Sequence, residues 1–244
     1  MHKRVLCLDF GNTLCKGAIL EGDHIINETI FNPCSVESIQ DFYIKNEVTS
    51  AILSSVINHP LEIDNFLNNT NSFHLLSASS KLNFTTPIGK PNTIGADRIA
   101  LISYARAHFP TKHNLIIALG TCITYNFMNR DGEFLGGGIS PGLKLRFKSL
   151  NEYTALLPLV EPDHNFPLIG YNTETNILSA VMLGIKFELD GIIEQYQQKF
   201  SNLNILLTGG DSEFLADRLK CKIFADKNML FKGLKIVHDQ NIAS

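Results

Sequence analysis

Val5-Leu6-Cys7-Leu8 runs into Asp9-Phe10-Gly11-Asn12-Thr13, and Leu115-Ile116-Ile117-Ala118-Leu119 runs into Gly120-Thr121-Cys122-Ile123-Thr124. Each is a short apolar run, the pattern of a buried strand, broken by a turn of small and polar residues. Each is followed by a hairpin signal. In the first case 17–20 and 24–31 flank Glu21-Gly22-Asp23; in the second, Asn129-Arg130-Asp131-Gly132 precedes the return at 134–139. Strand, turn and hairpin therefore occur twice, at a spacing too long for a short-period solenoid. Two structurally similar halves are expected, with 110–114 as the boundary: an N-terminal lobe over 1–112 and a C-terminal lobe over 113–244.

The remaining segments fit an α/β chain. Apolar residues at Val36, Ile39, Phe42 and Tyr43 have helical spacing, 51–57 reads as a buried strand and 61–68 as a short helix. The clearest amphipathic helix of the first half covers 97–109, with Ile99, Ile102, Ala105 and Phe109 on one side. Helices are expected at 143–150 and 175–200, then a strand at 204–207, the turn Thr208-Gly209-Gly210-Asp211 and a helix over 212–219.

Composition narrows the class. Among 244 residues, 44% are hydrophobic and 18% charged, enough apolar material to offset the entropy of ordering a core. The formal net charge of −3 leaves no basic footprint for bulk nucleic acid. Cys7, Cys15, Cys34, Cys122 and Cys221 are odd in number, widely spaced and without a C-x-x-C pair, which argues against a disulfide scaffold or a zinc site. The basic start, Met1-His2-Lys3-Arg4, meets Asp9 too soon for a signal peptide, and no apolar run approaches the ~18 residues of a membrane span. A cytoplasmic chain without membrane or nucleic-acid partners is expected.

A strand ending in a small-residue turn presents several backbone N–H groups in one direction, a nest that binds phosphate. Gly11-Asn12-Thr13, Gly120-Thr121 and Thr208-Gly209-Gly210 are three such turns, expected to face one cleft between the halves. The P-loop, the G-x-G-x-x-G fingerprint, H-E-x-x-H and G-x-S-x-G are all absent. Cys122 lies beside a turn but has no base nearby in sequence, and His59 and His108 read as surface or satisfied histidines.

Asp9-Phe10-Gly11-Asn12-Thr13-Leu14-Cys15-Lys16 resembles the D-x-G-N-T-x-x-K first phosphate motif of type III pantothenate kinases, members of the acetate and sugar kinase/actin superfamily. Pro91-Asn92-Thr93-Ile94-Gly95-Ala96-Asp97-Arg98 is similar to that family's P-x-x-L-G-x-D-R segment. Gly120-Thr121-Cys122-Ile123-Thr124 with Gly136-Gly137-Gly138-Ile139-Ser140-Pro141-Gly142 resembles its second phosphate motif and its G-G-x-I-x-P-G stretch. Asn172-Thr173 and Thr208-Gly209-Gly210 complete the order along nearly the whole chain.

The resemblance implies two similar actin-like/ribonuclease H-like lobes, each a mixed sheet with flanking helices, and transfer of the γ-phosphate of ATP to pantothenate. It implies ATP contacts at Asp9, Phe10, Gly11, Asn12, Thr13, Leu14, Cys15, Lys16, Thr121, Gly209 and Gly210, with Mg²⁺ at Asp9. Gly95, Ala96, Asp97 and Arg98 would line the pantothenate site, joined by Thr173 from the partner subunit of a homodimer. Asp97, in the first turn of a helix, is the expected base for the hydroxyl proton, and Arg98 the bidentate grip on the pantothenate carboxylate. Feedback by coenzyme A is not expected on the same ground.

Three positions depart from the family pattern. Ala118 and Asn126 stand where Asp is usual, which speaks against the K⁺ or NH₄⁺ that the family often requires, and Ile88 stands where a substrate-facing Tyr is usual. Two rival functions share the fold: a non-catalytic nucleotide-binding regulator, and a phosphatase or another small-molecule kinase of the superfamily. A regulator has no need of the Asp97-Arg98 pair, and the chain has no room for a large sugar-binding insertion.

Overall fold

The computed structural model of the chain describes residues 3–70, 72–77, 79–86 and 93–242. It divides into two compact units, one of Met1–Pro110, Gly132–Phe134 and Asn228–Ser244, the other of Thr111–Asp131 and Leu135–Lys227.

The first unit is built on β1 (Arg4–Phe10), β2 (Cys15–Glu21), β3 (His24–Phe31), β4 (Ser50–Ser55) and β5 (Phe73–Leu75), in the order β3-β2-β1-β4-β5. β1 pairs antiparallel with β2 and parallel with β4, so the sheet is mixed. Alternation along β1 sends Leu6, Leu8 and Phe10 to one face, where they pack with Ile39 of helix α1 (Val36–Lys45) and with Ile63 and Leu67 of α2 (Leu61–Asn68). Ser35 caps α1 by accepting from Ser38 N–H, and the Ser38 hydroxyl accepts from the Ser35 N–H in return. Val5, Cys7 and Asp9 take the other face, against which α7 (Met229–Ile242) packs beside α3 (Ala96–His108).

The second unit repeats this design. β6 (His113–Leu119), β7 (Cys122–Met128), β8 (Phe134–Pro141), β9 (Leu203–Thr208) and β10 (Phe224–Ala225) stand in the order β10-β9-β6-β7-β8. Renumbered from its own first strand, that is again 3-2-1-4-5. β6 pairs antiparallel with β7 and parallel with β9, as β1 does with β2 and β4. β1 and β6 even share one burial pattern, residue by residue. The core joins Leu115, Ile117 and Leu119 to Val181, Met182, Ile185 and Leu189 of the long helix α5 (Thr173–Lys199), and to Phe147 of α4 (Leu143–Glu152). A short α6 (Ser212–Ala216) follows β9.

The structure corrects the C-terminal lobe expected over 113–244. Residues from Asn228 onward belong to the first unit, because the apolar side of α7, with Leu234 and Val237 fully buried, covers the open face of the first sheet. The segment Gly132–Phe134 belongs there as well: Thr85 N–H donates to Gly132 O and Phe134 N–H to Thr85 O.

Candidate active site

Strand register assembles the first group of residues. Asp9, near the end of β1, lies directly opposite Lys16 on β2 and beside Ser54 on β4, so three polar side chains leave the sheet on one face. Ser54 donates its hydroxyl to Asp9 Oδ1 at 3.3 Å. Burial pushes the Asp9 carboxyl up from 3.8 to about 6. The charge of Asp97 adds to that rise, while Lys16 and Ser54 hold it back. The turn beyond Asp9 is closed by Gly11 N–H donating to Leu14 O at 3.0 Å, which removes Gly11 from the N–H groups that can face a phosphate.

Asp97 lies in the first turn of α3, which starts after Gly95 with no side-chain cap. Its carboxylate curls back over Gly95, where an added Cβ would sit 2.6 Å from Asp97 Oδ1, so glycine there gives the carboxylate its place. Arg98 is partly buried, which lowers its pKa against the opposing effect of Asp97, and its guanidinium lies over the Phe134 ring, 5.5 Å from the centroid.

In the second unit, Gly120-Thr121 and Thr208-Gly209-Gly210 form adjacent turns, because β6 and β9 run parallel with Ala118 beside Thr208. Gly209 has φ +100 and backs onto β6 so closely that a Cβ would meet Leu119 O at 2.2 Å. Asp211 N–H donates to Leu119 O, tying the two turns together, and Gly142 N–H donates to Thr121 O at 3.0 Å, bringing in the start of α4. Behind them, Arg146 pairs with Glu188 and donates to Pro141 O and Ser140 Oγ, and Tyr125 donates to Glu188 at 2.8 Å. Thr173 opens α5 on an exposed surface, after Asn172, whose side chain accepts from Thr175 N–H.

The two cations implied by the family pattern fare differently. Asp9 suits a divalent ion: a buried carboxylate at a phosphate turn, of the kind that holds Mg²⁺ together with substrate phosphates. The counterpart of Asp9 in the second unit is Ala118, flanked by Thr124 and Thr208 where the first unit has Lys16 and Ser54. Asn126, fully buried, turns its NH₂ toward Thr124 Oγ1 and Ile116 O. At this position the second unit lacks the carboxylate of the family pattern and keeps two hydroxyls. Among the described residues no group of three or more His, Cys, Asp or Glu could hold a metal.

His59 is satisfied, as its sequence context suggests, between Ser55 Oγ and Asp64 Oδ1. Ile88, Pro91 and Asn92 lie outside the described residues. Sequence reasoning missed Ser54 and Phe134. A serine pair ending the apolar run 51–53 is a signal for the first, but its partner is 45 positions away; nothing local marks the second. No helix is long and apolar enough to cross a membrane among the described residues.

Comparison with known proteins converges on one family. Residues 5–195 match the sequence profile of type III pantothenate kinases. The chain is 41% identical to the type III pantothenate kinase of Christiangramia forsetii over 97% of its length and 98% of the relative's. It is 37% identical to that of Flavobacterium johnsoniae over 98% of each. Among solved structures, a Campylobacter jejuni chain assigned to the Baf family of transcriptional activators is 22% identical with a TM-score of 0.60, covering 97% and 98% of the two chains. A glucokinase from an Antarctic psychrotroph is 9% identical with a TM-score of 0.53, covering 97% and 98%. At those identities the structures speak for the fold alone: two mixed sheets with flanking helices, as in sugar kinases. The match over most of its length, and relatives above 30% identity end to end, establish that this chain belongs to the type III pantothenate kinase family.

Proposed function

We propose that this protein transfers the γ-phosphoryl group of ATP to the terminal hydroxyl of pantothenate, giving 4'-phosphopantothenate for coenzyme A synthesis. The observation that carries the reading is the placement of Asp9 at the end of β1, opposite Lys16 and bonded to Ser54, in a chain of this family. Phosphoryl transfer passes through a loose transition state, so the residues need to position reactants and neutralise charge. Asp9 would hold Mg²⁺, which would supply positive charge to neutralise the phosphates. Lys16, in register with Asp9, adds a point charge. Asp97 accepts the hydroxyl proton, and Arg98 takes the pantothenate carboxylate with paired N–H donors. Thr121, Gly209 and Gly210 serve ATP.

The site is completed in a homodimer in which Thr173 is supplied by the partner subunit. Exposed apolar residues in the chain leading up to Thr173 support that assembly: Tyr153, Leu156, Leu168, Ile169 and Tyr171 are each at least 75% exposed.

The test is pantothenate-dependent ATP turnover by the purified protein and by Asp97→Asn. Turnover that falls by about 10²- to 10⁴-fold in the variant, with ATP affinity retained, supports the reading. ATP binding without phosphorylation of pantothenate by the unmodified protein would favour a nucleotide-binding regulator instead.

A further inference from the structure

We propose that Cys15 and Cys34 form a redox-sensitive pair: a hydroperoxide such as hydrogen peroxide closes them into a reversible disulfide, and the closed form binds ATP less well at the turn beyond Asp9. The disulfide stands apart from the phosphoryl-transfer reading; its effect on ATP rests on that reading's assignment of the turn to the nucleotide.

Two features of the fold bring the thiols together. Cys15 opens β2 directly opposite Phe10 of β1 and Phe31 of β3, so the three side chains share one face of the first sheet, the face that α1 covers. Cys34 lies in the connection from Phe31 to Ser35, the cap of α1, and so arrives at the rim of the same layer. Both cysteines pack against the cluster that holds Phe10, Phe31 and Ile39, and their thiols hydrogen-bond each other. Neither is sealed in. Both are partly exposed, beside the exposed Leu14 and Pro33, whereas Cys7 is fully buried.

The two cysteines divide the chemistry. Burial, and after it the hydrogen bond to Cys15, push the Cys34 thiol up to about 12, so Cys34 keeps its proton and Cys15 makes the first attack. As a thiolate, Cys15 Sγ bonds to one peroxide oxygen. The O–O bond breaks, hydroxide leaves and takes up the proton that Cys15 gave, and Cys15 becomes a sulfenic acid. Cys34 Sγ then attacks Cys15 Sγ; the S–O bond breaks and the hydroxide leaves as water with the Cys34 proton. Two thiols are thereby oxidised to one disulfide and one peroxide is reduced to two waters, and a dithiol reverses the change by exchange. The covalent bond draws the sulfurs closer than a hydrogen bond holds them. Cys15 follows Leu14, whose carbonyl accepts from Gly11 N–H to close the phosphate turn, and precedes Lys16, which lies opposite Asp9. Drawing the start of β2 toward α1 therefore moves the turn and the lysine together.

The experiment treats the reduced full-length protein with hydrogen peroxide, removes the excess with catalase, and follows peptide mass and ATP dependence together. A peptide joining Cys15 to Cys34 is expected, lighter than its reduced parts by two hydrogens. With it, kcat/KM for ATP should fall about 10- to 100-fold, the scale of an ångström's misplacement, and dithiothreitol should restore it. Reduced Cys34→Ser should match the unmodified enzyme to within twofold. After peroxide it should form no cross-link, and dimedone should label its Cys15 as the sulfenic acid. Should Cys34→Ser fail to fold, Cys34→Ala carries the same comparison. A cross-link that runs to Cys122 or Cys221 instead, or thiols that oxidise further without joining, would overturn the pair. A Cys15–Cys34 disulfide that leaves ATP dependence within twofold, or an equal loss in Cys34→Ser, would overturn its effect on the turn. ATP affinity by calorimetry, read on the same samples, keeps the outcome separate from the pantothenate reading: a protein that never phosphorylates pantothenate fails that reading, while the peptide masses and the ATP affinity still decide this one.

Discussion

Ser54 and Asp9 are neighbours in parallel register, and the Ser54 hydroxyl donates to Asp9 Oδ1 across 3.3 Å. The hydroxyl favours the charged form of a carboxylate that burial and Asp97 both push toward protonation. Ser54→Ala should therefore move the acid limb of the kcat/KM profile for ATP, which we expect near pH 6, to higher pH. It should also cost about tenfold in kcat/KM at pH 6.5, the magnitude of one hydrogen bond to a charged group. Ser54→Thr, which keeps the hydroxyl, should restore the profile; an unmoved limb in Ser54→Ala would refute the assignment.

Asp97 and Asp9 set activity against stability. The folded-state pKa of Asp9 lies near 6, above its ordinary 3.8. Between those values the folded chain holds a proton the unfolded chain has released, so this group favours folding at acid pH and loses that contribution as pH rises through about 6. At neutral pH the ionised carboxylate costs on the order of 3 kcal/mol. Asp97→Asn removes the neighbouring charge. The variant should lose catalysis yet melt about 2–4 °C higher at pH 7.5, with the gain vanishing at pH 4. Calorimetry at the two pH values decides it.

Ala118 occupies in the second sheet the position Asp9 occupies in the first. With hydroxyls at Thr124 and Thr208 as its strand neighbours and no carboxylate, turnover should be the same to within twofold in K⁺ and in a bulky organic cation. Ala118→Asp adds a carboxylate beside two hydroxyls, and stimulation by K⁺ should appear in that variant. Strong K⁺ dependence of the unmodified enzyme would show that the cation uses other residues.

Glu188 holds Arg146 and Tyr125 together, and Arg146 in turn holds Ser140 and Pro141 behind the Gly142–Thr121 contact. Glu188→Ala leaves a mostly buried guanidinium and phenol without their shared acceptor. Unfolding free energy should drop by about 2–4 kcal/mol, and by clearly less for Glu188→Gln, which keeps an acceptor. Denaturant titration of the two variants measures the difference.

The duplication was legible because each half opens with an apolar strand that breaks into a glycine-containing turn, and both features are local. Helices α1 and α2 follow from apolar spacing over their full lengths, and Asp97 from its place in a motif. What escaped depends on distant partners. β5 and β10 have three and two residues, too few to show a period, and exist because β4 and β9 offer them an edge. Helix α7 takes its place from the first sheet and α3, partners encoded on the far side of the second unit, so nothing near it in the chain shows where it packs. Ser54 becomes informative only when strand register sets it beside Asp9, and Phe134 only when the start of a hairpin is found in the other unit.

The placement of α7 also bears on how the chain is made. As the first unit leaves the ribosome, the sheet face bearing Val5, Cys7 and Asp9 has only α3 on its side, and the helix that packs on β1 there is encoded after the whole second unit. At roughly 5–20 residues per second, the nascent first unit waits on the order of ten seconds with apolar surface open to chaperones or to other nascent chains. The second unit, complete before α7 appears, is free to fold in that interval, so the half that is synthesised first is the half that finishes last.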